Sequence, residues 1–200
     1  MVINRVIVPI VEGFSEVASV PILVRRILER EAAYSVQVAK SFRVKRNRVV
    51  KEGELERAIE QVVRSRSGAG GILVLLDADD DCPAQLGPGL LKRCQAVTQL
   101  PVVVVLAMRE FEGWFLGAKE SLRGVRGIRQ DATARENPES IRGAKEMLTK
   151  NMQGQRRYME VDDQPALADR MDLELVKNRC PSFEKFLRGV HFLISEMTRA

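Results

Sequence analysis

The sequence predicts an α/β protein, with a parallel sheet flanked by helices and a helical C-terminal extension. Short apolar runs alternate with segments of helical periodicity as far as Ala107, which is the pattern of parallel strands joined by crossover helices. After Met108 the apolar runs stop, and the remaining segments have helical spacing. We therefore expect an α/β core over residues 1–122 and a mostly helical extension over residues 123–200, packed together as one compact unit.

The composition indicates a soluble cytoplasmic protein. Hydrophobic residues make up 45% and charged residues 30% of its 200 residues, and these are ordinary values for a globular chain. No apolar run is long enough to span a bilayer, and the N-terminus lacks the pattern of a signal peptide. Cys82, Cys94 and Cys180 are odd in number and widely spaced, which favours reduced thiols. His191 is the only histidine, so chemistry must depend mainly on carboxylates, lysine, arginine and hydroxyls.

The chain begins with a strand, a turn and a helix. Arg5–Val11 is an apolar run that predicts the first strand. Gly13 is the residue of the following turn that is best able to adopt a tight conformation, and Ser15 is a candidate N-cap. The helix then runs to about Arg30, where Pro21 predicts a kink or a later start.

The other elements follow from apolar runs and from helical spacing of apolar residues. We predict further strands over Val36–Ala39, Ile72–Leu76 and Val102–Ala107. We predict further helices over Gly53–Arg64, Leu90–Leu100 and Phe111–Leu122, from Asn137 and from Ser182. Residues Cys82–Gly89 contain proline and glycine and predict a loop.

A run of carboxylates follows the predicted strand Ile72–Leu76. Ligands of open α/β sheets bind beyond the carboxyl ends of the strands, and the mutual repulsion of these acids would be relieved by a hard divalent cation. Alternate side chains of an extended segment point the same way. Asp77, Asp79 and Asp81 would then face one ion, with Asp80 turned elsewhere. The alternative is a solvated acidic turn.

Two other segments place carboxylates at the same predicted edge. Glu12 ends the first strand, and Glu16 lies one helical turn further on, although Glu16 could instead serve only the helix N-terminus. Glu110 and Glu112 follow the strand Val102–Ala107, and we expect Glu110 to be the ligand, with Glu112 in reserve. The aromatic residues of this last segment are expected to pack in the core, and a base-stacking role for Trp114 is the less favoured alternative.

Several cations could serve these carboxylates or a polyanionic partner. Lys145 and Lys185 could stabilise developing negative charge, although each could equally be a surface lysine. The net charge is +5, and one stretch contains six cations and no acid. These cations are Lys40, Arg43, Lys45, Arg46, Arg48 and Lys51. The stretch is a candidate track for a phosphate backbone, and a solvated face is the alternative.

These motifs resemble a known family. The turn Glu12-Gly13 and a later DxD at a strand end resemble the Toprim domain of topoisomerases, bacterial primases and OLD-type nucleases. The segments VEGFSE, LLDADDDCP, LAMREFEGWFL, NPESIRGAK, DDQPAL and PSFEKF resemble a bacterial family of uncharacterised Toprim-like proteins. The resemblance implies a Toprim-like (Rossmann-like) sheet, and it implies Mg²⁺ or Mn²⁺ bound by Glu12, Asp77 and Asp79.

The nucleases in that group imply a fuller site. Glu16, Glu110 and either Lys145 or Lys185 would complete it, and Glu12 would act as general acid or base. OLD-type nucleases also contain an ATPase module, and no GxxxxGK[ST] motif occurs here. The resemblance therefore implies a separately encoded ATPase partner.

Three functions remain open at this stage. The first is a metal-dependent nuclease, acting on DNA rather than RNA, as a subunit of an anti-phage or DNA-repair system; a homo-oligomer is compatible with it. The second is a non-catalytic Toprim-like subunit that binds metal and nucleic acid or docks a partner in a larger assembly. The third is a DxD-type phosphatase or nucleotide-sugar enzyme.

Overall fold

A computed structural model of the chain describes residues 5–45, 49, 51–66 and 68–199. It contains a five-stranded parallel sheet flanked by helices, with a long helix near the C-terminus. The predicted α/β class and Rossmann-like arrangement are confirmed. The division at residues 122 and 123 stays a prediction.

The strands pair in the order β2-β1-β4-β5, and β3 also pairs with β1. They are β1 (Val6–Val11), β2 (Gln37–Val38), β3 (Phe42–Arg43), β4 (Ala69–Asp77) and β5 (Val102–Ala107). β2 lies beside Ile7 and β3 beside Val11, so the two short strands together form one interrupted edge. Because the chain adds strands first on one side of β1 and then on the other, the topological switch point lies between β1 and β4, where such sheets bind ligands.

Helices cover both faces of the sheet. They are α1 (Glu16–Arg30), α2 (Glu54–Ser65), α3 (Pro83–Gln95), α4 (Gly113–Gly117), α5 (Ala144–Lys150), α6 (Glu160–Arg170), α7 (Leu173–Arg179) and α8 (Pro181–Thr198). Short 3₁₀ turns occupy Val125–Gly127 and Pro138–Ser140. In the part of the chain that the structure describes, none of the helices has both the length and the apolar character needed to span a membrane.

The strands divide the core into two layers because successive side chains point to opposite faces. Ile7 and Leu73 belong to the layer that includes α1 and α8. Val8 and Val74 belong to the layer that includes α2 and α3. β4 is buried along nearly its whole length, as expected of a central parallel strand covered on both faces.

Proline caused the main errors in predicting helix boundaries. The predicted loop Cys82–Gly89 is wrong, because α3 begins at Pro83, a favourable first helical position, and continues through Pro88. Pro21 likewise lies inside α1, which begins at Glu16, so a later start is also wrong.

The segments after β5 are more broken than predicted. α4 has five residues and does not extend over Phe111–Leu122. The helix predicted from Asn137 is a 3₁₀ turn followed by α5, because Gly143 interrupts it at φ +66°. α6 and α7 were not predicted.

Candidate functional site

A pocket of about 260 Å³ lies at the carboxyl edge of the sheet, at the switch point between β1 and β4. Its lining combines acids, cations and small residues. They are Glu12, Gly13, Ser15, Glu16, Arg43, Lys45, Asp77, Asp79, Lys145, Glu160 and Gln164. We call this the carboxylate pocket. It contains four of the six predicted metal ligands.

Backbone hydrogen bonds hold three of these carboxylates in place. Glu12 Oε1 accepts from the Asp77 N–H at 2.7 Å, and Asp77 Oδ1 accepts from the Phe111 N–H at 2.7 Å. Glu16 Oε2 accepts from the Gly13 N–H at 3.0 Å. The side chains of Glu12 and Asp77 thus link the ends of β1 and β4 to the segment after β5.

Gly13 serves the site by leaving space. A Cβ atom at this position would lie 2.5 Å from Glu16 Oε1, so a larger residue would displace that carboxylate. Gly13 lies in the predicted turn, but it is not among the glycines of positive φ, so its role is to leave space rather than to adopt a left-handed conformation. Ser15 precedes α1 in a helical conformation and makes no side-chain cap, so the predicted N-cap hydrogen bond is also absent.

The carboxylates of the pocket destabilise one another's charged forms. Burial raises the pKa of Glu16 to about 7, and the charges of Glu12 and Glu112 add to this against the Gly13 hydrogen bond. Burial also raises the pKa of Asp77 well above its usual value, and the charges of Glu16, Glu12 and Glu112 contribute in the same direction. The site therefore concentrates negative charge at a cost in free energy.

Glu112, which was the reserve candidate, belongs to this electrostatic cluster. It is 1% exposed, and its Oε1 accepts from Tyr158 Oη and Gln164 Nε2, both at 3.1 Å. Burial raises the pKa of Glu112, while the Lys145 charge and the Gln164 hydrogen bond oppose the rise. The available signal in the sequence was a glutamate set among aromatic residues, between Phe111 and Trp114.

Glu110, the preferred candidate, is turned toward α5. Its Oε1 accepts from the N–H groups of Gly143 and Ala144 at 2.9 and 3.1 Å. It therefore satisfies donors at the beginning of that helix. Glu110 does not line the carboxylate pocket, so the structure does not bring it together with Glu12 and Asp77.

The acidic run after β4 is a turn and not an extended segment. Asp79 has φ +51°, and the Asp81 N–H donates to the Ala78 carbonyl at 2.9 Å. The predicted alternation of side chains is therefore wrong. Asp77 and Asp79 still line the pocket because the chain reverses, whereas Asp81 does not line it.

Asp80 is exposed, as predicted, and it is paired with cations. Its Oδ1 lies 3.2 Å from Arg109 and 2.5 Å from Arg142. The Arg142 guanidinium is the main cause that lowers the pKa of Asp80. Asp80 thus joins the turn to neighbouring segments outside the pocket.

The structure distinguishes the two candidate lysines. Lys145 lines the pocket, and its Nζ lies 2.6 Å from Glu160 Oε1. Burial lowers the pKa of Lys145, but the charges of Glu112 and Glu160 outweigh it, so the pKa is above its usual value. Lys185 is exposed on α8, and its Nζ lies near Gly87 of α3. It does not line the carboxylate pocket.

Part of the basic stretch reaches the rim of the pocket. Arg43 and Lys45 line it, and Arg43 Nε donates to the Glu12 carbonyl at 3.0 Å. Among the other predicted cations, the exposed residues Lys40 and Lys51 do not line it. Arg46 and Arg48 lie outside the described residues.

α6 supplies a wall of the pocket that sequence reasoning missed. Glu160 and Gln164 are four residues apart, one helical turn, and both line the pocket. Gln164 is 2% exposed, and its Nε2 donates to Glu112 Oε1. Its Oε1 is buried with no hydrogen-bond partner among the described residues, so it is an acceptor available to a ligand.

Other candidates have structural roles. Phe111, Trp114 and Phe115 are at most 1% exposed, which confirms core packing and excludes base stacking by Trp114 without unfolding. His191 lies partly exposed on α8, with its Nε2 3.2 Å from Glu31 Oε1. The cysteines are free thiols.

The donor chemistry of the site was compared with that of a metal centre. Glu12, Glu16, Asp77 and Asp79 offer carboxylate oxygens and Gln164 offers its amide oxygen, and oxygen ligands suit Mg²⁺ or Mn²⁺. Within the described ranges, no three Asp, Glu, His or Cys side chains are spaced to hold an ion as they stand. The fit is therefore one of donor type and charge.

Comparison with known proteins gives one family. Residues 11–191 match the model of the family described as Domain of unknown function (DUF4276). This match spans most of the chain, and the protein belongs to that family. No curated protein and no solved structure matches the chain.

Proposed function

We propose that this family member is a divalent-metal-dependent nucleic-acid phosphodiesterase of the Toprim type. The observation that carries the proposal is the meeting of Glu12, Glu16 and Asp77 at the switch point of the sheet, with raised pKa values for Glu16 and Asp77. Folding gains nothing from this repulsion. A divalent cation would offset it, and such cations are the usual partners of clustered carboxylates.

The residues of the pocket suggest a division of labour. Glu12 and Asp77 would hold Mg²⁺ or Mn²⁺, with Glu16 and Asp79 as further oxygen donors. When bound, the ion would supply a water of lowered pKa and would neutralise charge on a phosphate. Asp81 and Glu110, which were also candidate ligands, do not line the pocket.

The cations of the pocket suit a phosphate substrate. The Lys145 ammonium, fixed beside Glu160, would stabilise negative charge on the reacting phosphate. Arg43 and Lys45 on the rim would contact neighbouring phosphates. Glu12 would transfer a proton as general acid or base, as the Toprim resemblance implies.

A cleavage assay tests the proposal. We expect the wild type to cleave plasmid and single-stranded DNA with Mg²⁺ or Mn²⁺, and Glu12→Gln to lose about 10³-fold in rate, several kcal/mol of transition-state stabilisation. Glu60→Gln, which alters an exposed residue of α2, is the matched control and should cleave normally. Absence of cleavage by the wild type, or equal cleavage by Glu12→Gln, would refute the proposal.

A non-catalytic binding module is the second candidate. It is favoured by the cations Arg43 and Lys45 on the rim of the carboxylate pocket, which suit binding of a phosphate backbone whether or not it is cleaved. It predicts binding of nucleic acid without turnover, weakened when Lys45 is neutralised. Participation in an anti-phage or DNA-repair system, and assembly with a separate ATPase, remain predictions of the resemblance.

A further inference from the structure

An exposed aromatic ring stands at the mouth of the carboxylate pocket. Phe14 is 64% exposed, and it lies between Gly13 and Ser15, which both line the pocket. The guanidinium carbon of Arg43 lies 5.8 Å from the centre of its ring. Phe14 was not among the residues selected from the sequence.

Single exposed apolar residues are common on protein surfaces, so exposure alone indicates nothing. The position of Phe14 is what distinguishes it. The turn that bears the ring is fixed by the bond of Gly13 N–H to Glu16 Oε2. Arg43 lies over one face of the ring and leaves the other face for a base; its bond to the Glu12 carbonyl uses only one of the five guanidinium N–H donors.

The cations beside the ring continue into a second pocket. Arg43 and Lys45 line both the carboxylate pocket and a neighbouring one of about 480 Å³, to which Arg57 and Gln61 also contribute. Arg57 is 70% exposed and lies 3.4 Å from Glu54, an acid that lines the same pocket. A row of cations next to an exposed aromatic ring is the combination by which proteins bind single-stranded nucleic acids, with the backbone on the cations and a base on the ring.

We propose that the substrate enters as an unpaired strand, with one base stacked on Phe14 and the adjoining phosphates on Arg43, Lys45 and Arg57. This inference rests on the proposed function only in taking nucleic acid as the ligand. In a duplex each base is already stacked on its neighbours and must be extruded before a side chain can cover its face. The ring therefore favours single strands and frayed ends over intact duplexes.

Binding without turnover tests the inference. Fluorescence anisotropy would compare a labelled single strand, the same strand with abasic sites, and its duplex, in EDTA and in Ca²⁺. We expect Phe14→Ala to weaken binding of the intact single strand roughly 5- to 150-fold, the range for loss of one stacked base. Binding of the abasic strand and of the duplex should be unchanged, and Phe14→Trp should retain affinity. Tyr34→Ala, which removes a ring that is 80% exposed elsewhere, is the matched control.

Each outcome decides the matter. No binding of the single strand by the wild type, no loss with Phe14→Ala, or an equal loss on all three ligands would overturn the inference. Phe14-dependent binding without cleavage would support it while the nuclease proposal failed. Cleavage by the wild type together with binding that does not depend on Phe14 would support the nuclease proposal and overturn this inference.

Discussion

Two buried carboxylates of this protein lie in opposite electrostatic surroundings. Asp163 is fully buried, and its Oδ1 accepts from Arg126 Nε at 2.8 Å and from an Arg156 guanidinium nitrogen at 2.6 Å. Its Oδ2 accepts from the Met159 N–H at 2.8 Å. Glu16 is 5% exposed; burial raises its pKa, and the negative charges of Glu12 and Glu112 add to the rise. Burial of an acid is therefore a poor guide to function, whereas the sign of the neighbouring charges is informative.

The two sites differ in whether the charge of a buried acid is compensated by its neighbours. Asp163 joins the 3₁₀ turn Val125–Gly127 to the N-terminal end of α6, and its charge is compensated there. The carboxylate pocket retains repulsion that mutation could remove. Native proteins keep such locally unfavourable arrangements mainly where they bind or react.

The largest stability effect is expected from breaking the compensated site. Asp163→Asn should lower the free energy of unfolding by about 2–4 kcal/mol, because it weakens a buried ion pair. The two arginine side chains are 41% and 39% exposed, which keeps the loss below that of a fully buried pair. Urea denaturation measures it, with exposed Asp162→Asn as control. A loss below about 0.5 kcal/mol is within the range of ordinary surface substitutions. It would mean that the Asp163 charge does not stabilise the fold, and the two buried acids would then not differ as described.

In the carboxylate pocket, ionisation of the acid should lower the free energy of unfolding, whereas the charge of Asp163 raises it. The pKa of Glu16 rises from 4.5 to about 7 on folding, so the native state binds more protons than the unfolded state between these values. The free energy of unfolding should then fall as pH rises from about 4.5 to about 7, by on the order of 2–3 kcal/mol. Urea denaturation in EDTA at pH 5 and pH 7.5 measures this fall.

Glu16→Gln provides the comparison for that experiment. Because the variant cannot ionise at position 16, it should show a smaller fall, with Asp77 contributing the remainder in the same direction. Glu60→Gln should behave as the wild type. Equal slopes in Glu16→Gln and the wild type would mean that the pocket does not store this repulsion.

The smallest effect on stability is expected at Glu110. Like Asp163, this carboxylate is compensated, because its oxygen accepts hydrogen bonds from two backbone N–H groups. Glu110→Ala should cost about 1 kcal/mol in unfolding free energy, the usual value of a helix cap, and should leave Mn²⁺ affinity unchanged in calorimetric titration. Exposed Glu136→Ala is the control for stability. A tenfold or greater loss of Mn²⁺ affinity would instead return Glu110 to the ligand set.

The sheet and its principal acids could be predicted from the sequence. The run Val102–Ala107 is β5 without any change in its bounds, because a buried parallel strand is defined by apolar residues alone. The rule that parallel strands present their carboxyl ends at one edge was sufficient to bring Glu12 and Asp77 together.

The errors came from features that local patterns do not determine. Pro88 and Pro165 occupy helix interiors, where proline normally argues against a helix. The predicted helix Leu90–Leu100 therefore starts too late, as well as extending past the end of α3 at Gln95, and α6 was missed together with its contribution to the pocket. Glu110 and Glu112 differ by two positions in a turn, and only the path of the chain decides which one faces the acids. Asp79 adopts a positive φ that its residue type permits but does not require.

The close approach of Gly13 to Glu16 gives a rule for comparing members of the family. A sequence with any larger residue at position 13 cannot keep a glutamate at position 16 in this orientation, since the Cβ would overlap Oε1. A relative with a larger residue at position 13 is therefore expected to hold its glutamate at position 16 in another rotamer, without the hydrogen bond from the backbone N–H of residue 13. The residue at position 13 would thus indicate, before any protein is purified, whether the second acid can take the orientation seen here.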